Sequence, residues 1–230
     1  MKTFLATLLY SLAHIFTPGL AQEAPVTPDA NLPKVLLIGD SISGGYSKEV
    51  KRLLDGKAAV TGPIANAEAT IFGVTQIDDW IGTTKWDLIH FNWGLWDIYG
   101  WKYAKEDRSP AMYEQRLDTL VTRLKKTGAK LIWATTTPVC LEAETTMLKQ
   151  FKTKVKISPE LEKEFSDAAL RVMKKHDIEV NDLHAVIKPQ QDKVQAIDNV
   201  HFSGAGYGML GKAVANRIAT SLKIEMPPEK

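Results

Sequence analysis

A hydrophobic run in this chain stops abruptly at a serine. "VLLIGDSISGG" (35–45) passes from four large aliphatic residues into Gly39, Asp40 and Ser41. A serine hydroxyl is a poor nucleophile until a neighbouring base takes its proton. The usual base is a histidine whose second ring nitrogen is held by a carboxylate. Near the far end, "IDNVHFSGAGYG" supplies both, with Asp198 three residues before His201. On a tight loop or helical turn, this spacing lets the carboxylate reach one nitrogen of His201 and leaves the other to face Ser41. Without that distant pair, Ser41 reads equally well as a helix cap, a position that Asp and Ser favour. Asp40 reads as a residue that fixes the turn.

The elements that must position these residues alternate along the chain. "KVLLIG" and "WDLIHFNWG" are short apolar runs suited to buried parallel strands, and "AKLIWATT" is a third. "AAV" and "IEVND" are weaker strand candidates. Helical spacing marks "SKEVKRLLDG", "VTQIDDWIG" and "AMYEQRLDTLVTRLKKTG", the last with an apolar stripe of Met112, Leu117, Leu120, Val121 and Leu124. "SPELEKEFSDAALRVMKKHD" opens with Ser158 as N-cap and Pro159 at its first position. "SGAGYGMLGKAVANRIATSL" closes the domain as a helix. Strands alternating with helices predict an α/β protein, a three-layer α/β/α sandwich around a central parallel sheet. Ligands in such folds bind beyond the carboxyl ends of the strands. Ser41, the stretch from Asn92 to Asp97, and Thr135 to Pro138 all follow strands and point at one edge.

The combination resembles the SGNH (GDSL) hydrolase superfamily over essentially the whole mature domain. "GDSIS" is similar to that family's first block and "DNVH" to its last, in the order Ser, Asp, His. The resemblance implies a flavodoxin-like SGNH fold and ester hydrolysis without a cofactor, with Ser41 as nucleophile, His201 as base and Asp198 as its partner. It also implies an oxyanion hole built from the Ser41 N–H, a second-block glycine and a third-block asparagine. The second block, "NAEATIFGV", has Asn66 at its opening, Gly73 as its local glycine and Glu68 at the glycine's expected place. The third, "NWGLWD", keeps Gly94 and Asp97 but puts Trp96 where asparagine is expected. Asn66, Gly73, Asn92, Gly94 and Trp96 stay open as donors, with Asp97 beside them.

Composition bounds the rest. The chain has 230 residues, 44% of them hydrophobic, enough to bury the core of one domain. A formal charge of +2 favours neither nucleic acid nor a polybasic membrane contact. No Cys/His constellation suggests a metal site, and no glycine loop has phosphate-binding spacing. "MKTFLATLLYSLAHIFTPGLAQ" has the basic start, apolar centre and small-residue end of a cleavable signal peptide. The expected organisation is a signal peptide (1–21), a flexible leader (22–33), the hydrolase domain (34–224) and a disordered tail (225–230). The mature protein is then secreted or periplasmic, without stable membrane insertion. Cys140, the single cysteine, reads as a small packing residue.

Three readings of function follow. The first is a secreted serine esterase that removes O-acetyl or short acyl groups from a carbohydrate. The second is a lipase-type or lysophospholipase-type esterase. The third is an SGNH-fold carbohydrate-binding protein that has lost part of its oxyanion hole. Trp93, Trp96, Tyr99, Trp101 and Tyr103 bear on the choice, because they either pack in the core or form a face for stacking on sugar rings.

Overall fold

The computed structural model describes residues 31–140, 157–196 and 199–226. The signal-peptide expectation lies outside them, as do most of the leader, the last residues of the tail, and Asp198. Five strands form one parallel sheet: β1 (Lys34–Ile38), β2 (Ala59–Thr61), β3 (Leu88–Phe91), β4 (Lys130–Ala134) and β5 (Glu179–Asn181). Their order is β2-β1-β3-β4-β5, with Ile38 beside Phe91 and Phe91 beside Trp133. From β1 the chain steps outward to β2, then returns past β1 to lay down β3, β4 and β5. The switch therefore falls between β1 and β3, where the outgoing loops diverge and leave a crevice.

The helices are α1 (Ser41–Leu53), α2 (Thr70–Ile81), α3 (Leu95–Tyr99), α4 (Pro110–Lys125), α5 (Pro159–His176), α6 (Leu183–Ile187), α7 (Gln191–Val194) and α8 (Gly204–Leu222). α1 packs against α8, while α4 packs between α2 and α5. The sheet lies between these two layers, giving the expected three-layer sandwich. The central strands are apolar on both faces because helices cover both. Val35, Leu36, Leu37, Leu88, Ile89 and Phe91 are completely buried. His90 shares this core, where burial pushes its pKa down to about 3 and its Nε2 meets Asn181 Nδ2 at 3.2 Å.

Two helices begin earlier than the sequence suggests. α1 starts at Ser41 rather than Ser47, because the Asp40 carboxylate accepts the Ile42 N–H at 2.9 Å and caps it there. α2 starts at Thr70 rather than Val74, and its capping group, described below, comes from the far side of the site. The aromatic stretch is helical, with α3 followed by a 3₁₀ turn at Trp101–Tyr103.

Candidate active site

β1 delivers the chain to the switch point, and Gly39 lets it turn tightly. A Cβ on Gly39 would lie 2.7 Å from Ser43 Cβ. Asp40 is buried, and desolvation raises its pKa to about 6 against the opposing pull of its backbone hydrogen bonds. Ser41 is thus the first residue of α1, where backbone N–H groups lack intrahelical acceptors and the helix dipole favours negative charge.

His201 arrives on a loop that is closed at its base. Gln195 pairs with Phe202 in an antiparallel bridge, Ala196 N–H donates to His201 O at 2.9 Å, and Ser203 N–H donates to Val194 O at 2.8 Å. The Gln195 side chain donates to Pro138 O at 2.9 Å and Val200 O at 3.2 Å, fastening the loop to the chain leaving β4. This puts His201 Nε2 at 2.8 Å from Ser41 Oγ, across 160 residues of sequence.

The other face of the ring meets an amide. His201 Nδ1 lies 2.6 Å from Asn199 Oδ1, and the backbone N–H of His201 donates to that same atom at 3.2 Å. An atom that accepts from a backbone N–H is the amide oxygen, so Nδ1 carries the proton and Nε2 offers a bare lone pair to the Ser41 hydroxyl. Burial holds the His201 pKa below its ordinary value and favours this neutral base. Asn199 was missed in the sequence, although it stands inside the quoted "DNVH" beside Asp198.

Two of the donors considered for the oxyanion hole, those of Gly73 and Asn92, are engaged elsewhere. Asn66 is exposed, and its Oδ1 accepts the Glu68 N–H at 3.0 Å. Gly73 is a packing glycine inside α2, with its N–H bonded to Ala69 O at 3.0 Å; a Cβ there would sit 2.7 Å from Trp93 Nε1. Asn92 donates its amide to Ala134 O at 2.8 Å, tying the end of β3 to that of β4. Gly94 permits close approach of Thr136, whose Oγ1 would lie 1.9 Å from a Cβ at that position. Asp97 is 1% exposed and accepts from both the N–H and the hydroxyl of Thr70, so it is a helix anchor rather than a substrate group.

Trp96 is half-buried and meets Trp101 edge-on with ring centroids 4.4 Å apart. Lys102 Nζ stands 5.6 Å from the Trp96 ring and 2.5 Å from Glu68 Oε1, and the Tyr103 hydroxyl bonds the other carboxylate oxygen. Glu68 itself adopts a left-handed backbone, φ 51°. Trp93, Tyr99 and Trp101 are buried in the core, leaving Trp96 and Tyr103 as the partly exposed rings of the aromatic stretch. The remaining histidines among the described residues have partners of their own: His176 Nε2 meets Asp118 Oδ1 at 2.6 Å, and His184 Nε2 meets Glu162 Oε1 at 3.0 Å. Among the described residues no group of three or more His, Cys, Asp or Glu side chains is arranged to hold a metal ion. No described helix is long and apolar enough to cross a membrane.

A parallel α/β/α sandwich with a serine and a histidine in contact at its switch point defines a class of protein, and solved structures narrow it. The sequence matches no family model and no curated protein. A lipase/acylhydrolase from Enterococcus faecalis is 21% identical with a TM-score of 0.67, covering 86% of this chain and 100% of its own. An acetylxylan esterase from Geobacillus stearothermophilus is 18% identical at 0.65, covering 81% and 94%. A GDSL-like lipase from Bacteroides thetaiotaomicron is 15% identical at 0.63, covering 82% and 88%. The fold of this chain is that of the SGNH lipase-acylhydrolases and acetylxylan esterases.

Proposed function

We propose that the protein is an exported serine esterase that removes acetyl or other short acyl groups from a carbohydrate. The observation that carries the reading is the 2.8 Å contact between Ser41 Oγ and His201 Nε2 at the switch point of the sheet. Two solved acetylxylan esterase structures with this fold are catalytic mutants, one changed at a serine and one at a histidine. In the proposed reaction Ser41 Oγ attacks the acyl carbon as its proton passes to His201 Nε2. The Ser41 N–H at the start of α1 supports the resulting oxyanion. The alcohol then leaves with the proton from His201, and a water activated by the same nitrogen releases the acid.

The Asn92 amide donates to Ala134 O and the Gly73 N–H to Ala69 O, which leaves fewer oxyanion donors than the resemblance implies. Removing one such donor typically slows turnover about 10²–10³-fold. The expected enzyme is therefore slow. The same observation favours a second reading, a carbohydrate-binding protein that no longer turns over.

A fluorophosphonate probe and an aryl acetate separate the two. Covalent labelling and acetate release that both vanish in Ser41→Ala support the esterase. A folded protein that neither labels nor turns over overturns it. Faster hydrolysis of long acyl chains than of acetyl esters would move the substrate to lipids.

A further inference from the structure

We infer that Glu68, Trp96, Lys102 and Tyr103 form the rim that takes the sugar beside the scissile ester, and that Glu68 sets the charge this rim accepts, favouring neutral over acidic sugars. The inference rests on the carbohydrate esterase reading and adds to it the charge class of the substrate.

The rim borders the nucleophile. Ala67 N–H donates to Gly39 O at 3.0 Å, two residues before Ser41, and Glu68 follows Ala67 directly. Trp96 lies in α3, just beyond β3, with Lys102 and Tyr103 in the 3₁₀ turn after it. Trp93 Nε1 donates to Ala67 O at 3.2 Å and ties the two sides together. Glu68 and Trp96 replace the glycine and asparagine expected of the second and third blocks, and both meet the same side chain, Lys102.

Each member has a chemical part. The Trp96 ring is held edge-on by buried Trp101 and stands 6.4 Å from the Tyr103 ring, so its half-buried surface is fixed before a ligand arrives. A flat apolar ring suits the C–H face of a sugar. The Lys102 side chain is 51% exposed and gives one of its three N–H groups to Glu68. The Glu68 side chain is only 13% exposed, and its two oxygens go to Lys102 and to the Tyr103 hydroxyl. Lys102 therefore presents hydrogen-bond donors whose charge is already matched. A carboxylated sugar gains little from a paired cation and meets the like charge of Glu68. A neutral sugar needs only the ring face and the donors. Glu68 is moreover carried at a conformational cost, because a φ of 51° disfavours its side chain, and such cost gathers at functional sites.

The test compares the unmodified full-length protein with Glu68→Gln, with Glu68→Gln plus Lys102→Met, and with Trp96→Ala. The substrates are an acetylated neutral xylo-oligosaccharide, an acetylated oligogalacturonide, and an aryl acetate that carries no sugar. Rates on the two saccharides are read relative to the aryl acetate for each variant, and calorimetry measures binding of the same saccharides without their acetyl groups. The unmodified protein should prefer the neutral chain about tenfold. Glu68→Gln unmasks the Lys102 charge and should move that preference about five- to tenfold towards the acidic chain, an effect that fades at high salt. Adding Lys102→Met should reverse the shift. Trp96→Ala should raise KM for the neutral saccharide about tenfold with less change in kcat. The proposal is overturned if the unmodified protein binds neither saccharide or binds the acidic one as tightly as the neutral one. It is equally overturned if Glu68→Gln leaves the preference unchanged, if Lys102→Met does not reverse the shift, or if Trp96→Ala leaves saccharide KM and binding unchanged. If no ester is turned over, the esterase reading falls, and calorimetry alone decides whether the rim takes a neutral sugar.

Discussion

Asp97 and Thr70, 27 residues apart, are joined through both the backbone and the side chain of the threonine. The buried carboxylate accepts the Thr70 N–H at 3.0 Å and the Thr70 hydroxyl at 2.6 Å. Thr70 opens α2 and Asp97 lies in α3, so this pair sets the loop after β2 against the loop after β3. Arg108 supports the same corner by donating to Asp97 O at 2.9 Å.

Removing that carboxylate should be among the more damaging single changes near the site. Asp97→Ala leaves a buried N–H and a buried hydroxyl without their acceptor and is expected to destabilise the fold by about 2–3 kcal/mol. Asp97→Asn keeps an acceptor and should cost less. Desolvation, opposed by the Thr70 bonds, raises the Asp97 pKa from 3.8 to about 6. Because the folded value exceeds the unfolded one, the contribution is fully present below 3.8 and is lost as pH rises through about 6. Urea unfolding at several pH values should therefore show a shallower pH dependence in Asp97→Asn across that window. Asp40, raised to about 6 as well, retains its share.

The pH dependence of activity should carry the mark of His201. The base works when neutral, and burial lowers its pKa from 6.5. The acid limb of kcat/KM on an aryl acetate should thus fall below pH 6.5, with activity rising as pH increases through it. A limb centred at pH 7 or above would contradict a neutral, amide-held imidazole.

Gly94 offers a test by paired substitution. Its φ of 174° lies outside the left-handed region, and a side chain there meets a steric obstruction. The obstruction is Thr136 Oγ1, 1.9 Å from the position of a Cβ. Gly94→Ala is expected to lower stability by about 1–3 kcal/mol through overpacking. Adding Thr136→Ala removes the blocking atom and should recover part of that loss in thermal melts.

Glu68 gives the opposite expectation, because there the backbone is strained. A φ of 51° disfavours any side chain, while the carboxylate is pinned by Lys102 and Tyr103. Glu68→Ala loses the pins and keeps the strain, whereas Glu68→Gly loses both. The glycine variant should exceed the alanine variant in stability by about 1 kcal/mol. Equal melting temperatures would show that the loop relaxes once the pins are gone.

The sequence reads clearly where the deciding contacts are local. β1, β3 and β4 stand out because burial on both faces makes them continuous apolar runs. α4 and α5 stand out through their stripes and serine caps. The early start of α1 is obscured by Gly44 and Gly45, weak helix formers. Gly45 belongs there because a Cβ would collide with Tyr207 of α8 at 2.0 Å. The early start of α2 depends on Asp97, which lies in a distant segment. The same division runs through the site. Ser41 and His201 are legible as a motif. The contact of Asn199 with the ring depends on loop closure between Gln195 and Phe202, which residue spacing does not encode.

Cys140 gives the protein a built-in gauge of that closure. The thiol is buried, and its sulfur rests 3.7 Å from Ala196 O at the foot of the loop carrying His201. The chain has one cysteine, so a thiol reagent has a single address. The rate at which native Cys140 reacts reports how often its burial is breached, and slowing of that rate by a bound ligand would show the histidine loop being clamped without any label being introduced.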